Sequence, residues 1–449
     1  MDGAKAALGG AAAAPRQLLS VSDGVILMCG MVIGAGIFRL PSLVAANTST
    51  ELAFLFAWLL GGGVSLCGAL IYAELASRYP ETGGEYSFLA RGVGRGAAFM
   101  FAWSRMTVIQ TGAIAAVAFV FGDYASEMLR LGDKSPAIYA AIAVVALTAV
   151  NVLGTRESKN LQKAAQFLLF AGLIFIGFAG LLSGAPGRSP TTGAAGPFGL
   201  AMIFVLFAYG GWNEAAYLAG EIRDARRNML RILVIGIVTI TALYLLVNLG
   251  YLFALGLDGM KQSKAVAADA VRAVAGERSA VVIAIVVCIA ALTTMNAAIF
   301  TGARTTYALG RDFAFFRHIG TWRESGSTPA NALLLQGGIA LVLVWAASST
   351  PDGFSAMVAY TAPVFWTFFY LTTATLFVFR DRNEDAPAFR VPLYPHIAIA
   401  FAVMCIYMFY SSIDYVRNPE YGPKFGNIAL AGLIVMALGI PLYFLARRK

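Results

Sequence analysis

The chain has 449 residues, 59% of them hydrophobic and 13% charged, with a mean hydropathy of +0.72. Soluble domains are about 45–50% apolar and about 25% charged, so a soluble globular fold is excluded and a polytopic membrane protein is implied. The net charge of +9 sits in short loops between apolar runs, which marks topology and excludes a nucleic-acid partner.

Residues 1–20 are Ala/Gly-rich and are expected to be a disordered cytoplasmic terminus; no signal-peptide pattern is present. Twelve spans long enough for a bilayer follow. Their limits are 22–46, 51–77, 94–122, 136–153, 161–183, 198–220, 229–255, 280–308, 331–348, 353–379, 392–411 and 425–446. Of the 33 Lys and Arg residues, 22 fall on one side of this arrangement and nine on the other. That asymmetry predicts both termini in the cytoplasm. The longest outward segment, about 256–279, mixes charges with alanines and reads as an amphipathic surface helix.

The first span is interrupted halfway by Gly34, Ala35 and Gly36 in the stretch MVIGAGIFRL. Glycine permits unusual backbone angles and close approach. Freed N–H and C=O groups at membrane depth need protein or a wet cavity to satisfy them. The stretch fits either a helix broken at a binding site or a close helix–helix contact. A second interruption, FVLFAYGGWNEA at 204–215, favours the first reading. Two broken spans, one early in each half, are the sign of an inverted-repeat transporter with its site at the midplane.

Such breaks have a chemistry of their own. The restarting half of span one presents the N–H groups of Ala35, Gly36 and Ile37, which suit a carboxylate. Span six runs inward, and its first half ends near Phe207 and Ala208. The carbonyls there, with those of Val32 and Ile33, suit an ammonium group. Opposite poles a few ångströms apart match an α-amino acid. Phe207, Tyr209 and Trp212 are expected as walls and gate, with Phe207 closing over the substrate and Gly210 and Asn213 beside it. Arg105 and Glu214 are charges within spans at similar depth, and they are expected to pair as a gate or coupling element. Arg39, a turn past the first break, reads as a side chain that snorkels outward.

The motifs identify a family. GAGIF at 34–38, Tyr72-Ala73-Glu74-Leu75 followed by Pro80-Glu81-Thr82-Gly83-Gly84-Glu85-Tyr86, and Phe207-Ala208-Tyr209-Gly210-Gly211-Trp212-Asn213 resemble the amino acid–polyamine–organocation superfamily. The third stretch is similar to span six of the L-type amino acid transporters, the light chains of heterodimeric transporters, and their bacterial relatives. The resemblance runs from about residue 20 to 440. It implies an all-α membrane protein with a five-plus-five inverted repeat and two further helices. The first repeat would cover 21–185, the second 195–380, and the last pair 390–449.

The resemblance implies a secondary transporter of amino acids, an exchanger of neutral L-amino acids by first expectation. Proton or sodium coupling and polyamine or cationic substrates stay open as alternatives. Some relatives carry a coupling lysine in span five, where this chain has Leu169. Ile33, Thr293 and Thr294 form an optional sodium site, although membrane hydroxyls more often satisfy a backbone carbonyl.

Two histidines and no Cys/His cluster argue against a metal, and no cofactor is expected. No H-E-x-x-H or G-x-S-x-G pattern is present, so an enzyme is not expected. The four cysteines, Cys29, Cys67, Cys288 and Cys405, lie inside apolar runs. Unlike the eukaryotic light chains it resembles, the chain has none between spans three and four (121–136), so the resemblance does not extend to a disulfide-linked heavy chain. The expected partners are the amino acid and membrane lipid, for a monomer or homodimer. The Ala/Gly/Arg-rich composition points to a bacterial source and the inner (plasma) membrane.

Overall fold

The computed structural model describes residues 19–79, 84–154, 159–183, 196–323, 328–382, 387, 389–417 and 422–446. The expected disordered terminus and Pro80, Glu81, Thr82 and Gly83 of the second motif lie outside these, residues 19 and 20 excepted. Among the described residues the regular elements are helical, and the extended pairings are isolated bridges, Leu19 with Ile222 and Arg323 with Thr328.

The helices in chain order are α1 Val21–Val32, α2 Leu40–Ala46, α3 Glu51–Arg78, α4 Gly84–Gly92, α5 Arg95–Ser104, α6 Gln110–Met128, α7 Ser135–Leu153 and α8 Lys159–Leu182. They continue with α9 Phe198–Ala208, α10 Ala225–Gln262, α11 Val266–Ala275, α12 Glu277–Asp312, α13 Ala330–Ala347, α14 Gly353–Asp381, α15 His396–Arg417 and α16 Gly422–Ala446. Ten helical stretches among the described residues are long and apolar enough to cross a membrane. Two shorter apolar helices, Val21–Val32 and Gln166–Leu182, accompany them.

Local chemistry sets several ends. Ser20 and Asp23 form a reciprocal cap at the start of α1, worth about 1 kcal/mol. Thr50 caps α3, and Asp352 caps α14 through the N–H groups of Phe354 and Ser355. Gly154 ends α7 in the left-handed region at φ 76°.

The structure departs from the expected spans in four places. Span three is not one α-helix: a π-helical segment, Arg105–Ile109, joins α5 to α6, and the span runs on to Met128. The extra residue of such a segment re-aims the side chains around it. Span eleven begins at His396, because Leu393 sits at φ 50° and the following Tyr394 precedes a proline, which disfavours helix. The outward segment holds the short helix α11, whose buried face is Val266, Ala267, Ala268, Ala270 and Val271. It follows a kink in α10 at Gly256, φ 68°. Finally, α4 was not foreseen. It buries Glu85, Phe88 and Leu89 between the second and third spans.

A short backbone staple ties distant parts of the chain. The Leu19 N–H donates to Glu221 O at 3.0 Å, and the Arg223 N–H donates to Leu19 O at 3.0 Å.

Candidate functional site

The first break is a sequence of three backbone changes. α1 stops at Ile33, whose ψ of 89° is not helical. Gly34 is extended, and Ala35–Phe38 form a 3-10 turn. α2 then starts at Leu40 with Pro41 in its first turn, where a missing N–H costs nothing. The restart is therefore tighter and later than the α-helix expected from Ala35. The first N–H groups of the turn, Ala35 and Gly36, have no acceptor within it. Thr294 faces this break: a Cβ on Gly34 would lie 3.0 Å from its Cγ2.

The second break matches the expected position. α9 ends at Ala208, the Gly210 N–H turns back to Phe207 O at 3.1 Å, and Gly211 takes φ 106°. A 3-10 helix, Trp212–Glu221, follows. The two breaks touch. A Cβ on Gly211 would lie 2.8 Å from Met31 O, so only glycine permits both this φ and this approach. Tyr244 of α10 completes the junction. Its hydroxyl lies 3.0 Å from Ala208 O and 3.3 Å from Val32 O, the carbonyls at the ends of α9 and α1. Nothing in the local sequence pattern pointed to Tyr244. Its role depends on packing between distant spans.

The three aromatic residues of span six have different surroundings. Phe207 stays half-buried, edge-on to Phe354 at 6.1 Å. Tyr209 is fully buried against Trp58 and Tyr244, and its hydroxyl donates to Trp58 O at 3.1 Å. Trp212 stacks on Phe369 at 5.4 Å and meets the edge of Tyr72 at 5.0 Å. Tyr209 and Trp212, expected as walls, are thus packed into aromatic clusters on either side of the break. The Thr293 and Thr294 hydroxyls both donate to Ala290 O, at 2.9 and 2.8 Å. Leu169 is buried in the apolar core.

A cluster of charge surrounds the second half of span six. Arg105 Nη2 lies 2.8 Å from Glu214 Oε1 and 2.9 Å from Oε2. Next to this pair, α4 brings in Glu85. Tyr72 Oη donates to Glu85 Oε1 at 2.5 Å, and Asn213 Nδ2 lies 3.3 Å from each Glu85 oxygen. Burial pushes the Glu85 carboxyl up to about 7, against the pull of the Tyr72 hydrogen bond, Arg105 and Asn213, while Glu214 adds to the rise. Glu85 stood in the sequence motif without a role. Only the fold shows that it is buried beside Arg105.

A second cluster surrounds Arg39, which does not snorkel: it is 4% exposed. Its Nη2 pairs with Asp352 at 2.8 Å and its Nε lies 3.5 Å from Asp123. Its Nη1 donates to Ser42 Oγ and Ser263 O. Carboxylates brought from spans three and ten hold the guanidinium inward, where a lone arginine would reach for water. A third buried carboxylate, Glu74, is clamped by Arg78 at 2.9 Å, Arg380 at 2.5 Å and the Val391 N–H at 2.7 Å. It ties α3 and α14 to the segment before α15. Among the described residues no group of three or more metal-binding side chains converges.

Residues 19–438 match the family model for amino acid permeases. The chain is 30% identical over 409 residues to the mouse (Mus musculus) b(0,+)-type amino acid transporter 1, covering 87% of this chain and 82% of that protein. It is 26% identical over 391 residues to the serine/threonine exchanger SteT of Bacillus subtilis (strain 168), covering 86% and 88%. It is 25% identical over 452 residues to the mouse Asc-type amino acid transporter 1, covering 96% and 82%. A multi-pass helical membrane protein of the permease class is defined by the fold and the match together. The chain belongs to the amino acid permease family, within the superfamily that its broken-helix motifs resemble, and is not an enzyme.

Proposed function

We propose that this chain exchanges neutral L-amino acids across the inner (plasma) membrane by alternating access. In this reading it has twelve spans, with 21–185 and 195–380 as inverted repeats, 390–449 as the last pair, and both termini in the cytoplasm. The observation that carries it is the junction of the two breaks, with Gly211 against Met31 and Tyr244 across both helix ends.

The N–H groups of Ala35 and Gly36 take the substrate carboxylate; that of Ile37, expected beside them, is used by the 3-10 turn itself. The carbonyls of Ile33 and Ala208 take its ammonium group, since a carbonyl bonded to one hydroxyl keeps a second lone pair. Phe207, half-buried beside Gly210, closes over the bound molecule. Glu214 is engaged by Arg105, which favours an uncharged side chain over a polyamine. The Arg39 cluster closes the outer side and the Arg105–Glu214 pair the inner side. Amino acid transport is supported by the names of the relatives, and exchange by that of the Bacillus protein. The protein works as a monomer or homodimer without a disulfide-linked heavy chain.

The test is uptake of radiolabelled amino acids into proteoliposomes, with and without internal amino acid and with imposed sodium or proton gradients. Uptake that requires internal substrate and ignores both gradients is expected, in keeping with the apolar Leu169. Polyamine uptake in place of amino acids overturns the carboxylate assignment. Thr294, facing Gly34, favours one second reading: stimulation by an inward sodium gradient would make Ile33, Thr293 and Thr294 a sodium site.

A further inference from the structure

Span eight carries a charge with no role so far. Arg304 lies within α12, eight residues before its end at Asp312. A charged side chain inside a span is costly and needs a partner or water. Among the described residues Arg304 has no carboxylate against it. Its guanidinium lies over the Phe300 ring instead, 3.3 Å from the centroid.

Register, direction and neighbours say what the guanidinium faces. Thr294 faces Gly34 at the first break, and Thr301 follows two turns later on the same face of α12. Arg304 comes one turn after that. Exposure rises along this stripe: Thr294 and Ala297 are half-buried, while Thr301, Arg304 and Ala308 are exposed. A lipid-facing arginine reaches for the nearer membrane surface, here the Asp312 end of the helix. Arg304 folds the other way, back over Phe300 and toward the break. Span five meets α12 at Val286, beside Gly172, but Gln166 of the same helix lies against Gly30 of α1. These contacts leave a wet passage from the break along the inner half of α12.

We propose that Arg304 is a second binding residue for the α-carboxylate of the transported amino acid, a staging point between the first break and the cytoplasmic mouth. The hydroxyls on this stripe are already spent. Thr301 donates to Ala297 O at 2.9 Å and Thr305 to Thr301 O at 3.4 Å. The guanidinium is therefore the donor on offer, and its planar fork suits a carboxylate held by two parallel bonds. Folded back, it sits at the level of Phe300, six residues or about 9 Å along the helix from Thr294. An amino acid leaving the N–H groups of Ala35 and Gly36 meets Arg304 before it reaches the surface. One arriving from the cytoplasm is captured there first. Substrate entering from the opposite side reaches the break without passing it.

The staging role rests on the transport reading, in which the Asp312 end of α12 faces the cytoplasm, and its test separates the two. Exchange is measured in proteoliposomes with the amino acid varied on one side at a time. Arg304→Gln is expected to raise half-saturation about tenfold on the cytoplasmic side, a loss of about 1.4 kcal/mol, and to leave it unmoved on the other. Arg304→Lys, which keeps the charge without the fork, is expected to recover part of the difference. Equal shifts on both sides, or a lower maximal rate at constant half-saturation, mark a structural residue and overturn the proposal. A wild type that responds to anionic lipid in the vesicles, beside an Arg304→Gln that ignores it with half-saturation unmoved, gives the guanidinium to a lipid phosphate and overturns it too. A second measurement needs no transport. The purified protein is labelled with phenylglyoxal, and modification of Arg304 is read by peptide mass spectrometry. A mixture of neutral L-amino acids is expected to protect Arg304, and the same amino acids as carboxamides are not. Arg227, with a side chain 80% exposed, is the unprotected reference. No protection, or equal protection by the carboxamides, overturns the assignment. If the wild type exchanges no amino acid, the transport reading fails while the labelling still decides Arg304.

Discussion

The Arg39 and Arg105 charge clusters use the same parts and assemble them differently. Each centres on one arginine close to a helix break. Arg39 holds two carboxylates, a hydroxyl and a backbone carbonyl, drawn from spans three and ten and the segment before α11. Arg105 pairs with Glu214, whose side chain is 29% exposed, against 18% for Asp352 and 12% for Asp123. Drier groups are harder to separate, because removing one partner strands the others without water. By this measure the Arg39 cluster is the harder of the two to open.

The largest effect should come from emptying the Arg39 cluster. Arg39→Ala strands Asp123 and Asp352 and is expected to cost about 3–5 kcal/mol, seen as a fall in thermal midpoint in detergent. Arg105→Ala should cost less, about 1.5–3 kcal/mol by the same measurement, because Glu214 can turn to water. Equal losses would erase the contrast between the two clusters. A double-mutant cycle sharpens it. The coupling of Arg39 with Asp352 should exceed that of Arg105 with Glu214, and Asp352→Asn is the substitution to use because an amide oxygen can still cap α14. Next, Glu214→Gln alone should change stability by about 1 kcal/mol or less, as part-exposed pairs do.

A separate effect is the pH slope from Glu85. Its folded-state value is raised from the usual carboxylate range to about 7, so the native protein holds a proton that the unfolded chain releases. Its contribution to stability is complete below the unfolded value and is lost as pH rises through about 7. The thermal midpoint of the wild type should therefore decline between about pH 5 and 8 more steeply than that of Glu85→Gln.

Much of the site was legible because glycine and charge are rare signals in apolar spans. Gly34 to Gly36 and Gly210 to Gly211 marked both breaks, and Arg105 and Glu214 stood out as partners before any contact was known. The 3-10 geometry of 35–38 and 212–221 was not legible, since nothing in composition separates a tight turn from an α-helical restart. Arg39 was misread for a different reason. Its strongest partner lies 313 residues away, and a lone arginine near a helix end gives no sign of a carboxylate brought in by the fold. Glu85 and Tyr244 depended in the same way on which helices become neighbours. Tyr209 and Trp212 were assigned by adjacency to the break, but neighbouring residues on a turn point in different directions, and only Phe207 kept partial exposure.

The staple between Leu19 and Glu221–Arg223 has a mechanical consequence. It fastens the entry of α1 to the exit of the 3-10 helix, while Tyr244 fastens the same two broken spans at mid-depth. Two fasteners some distance apart remove the freedom to swivel as well as to slide. The broken pair is fastened as one body, so a pull felt at either end of it is delivered to the other.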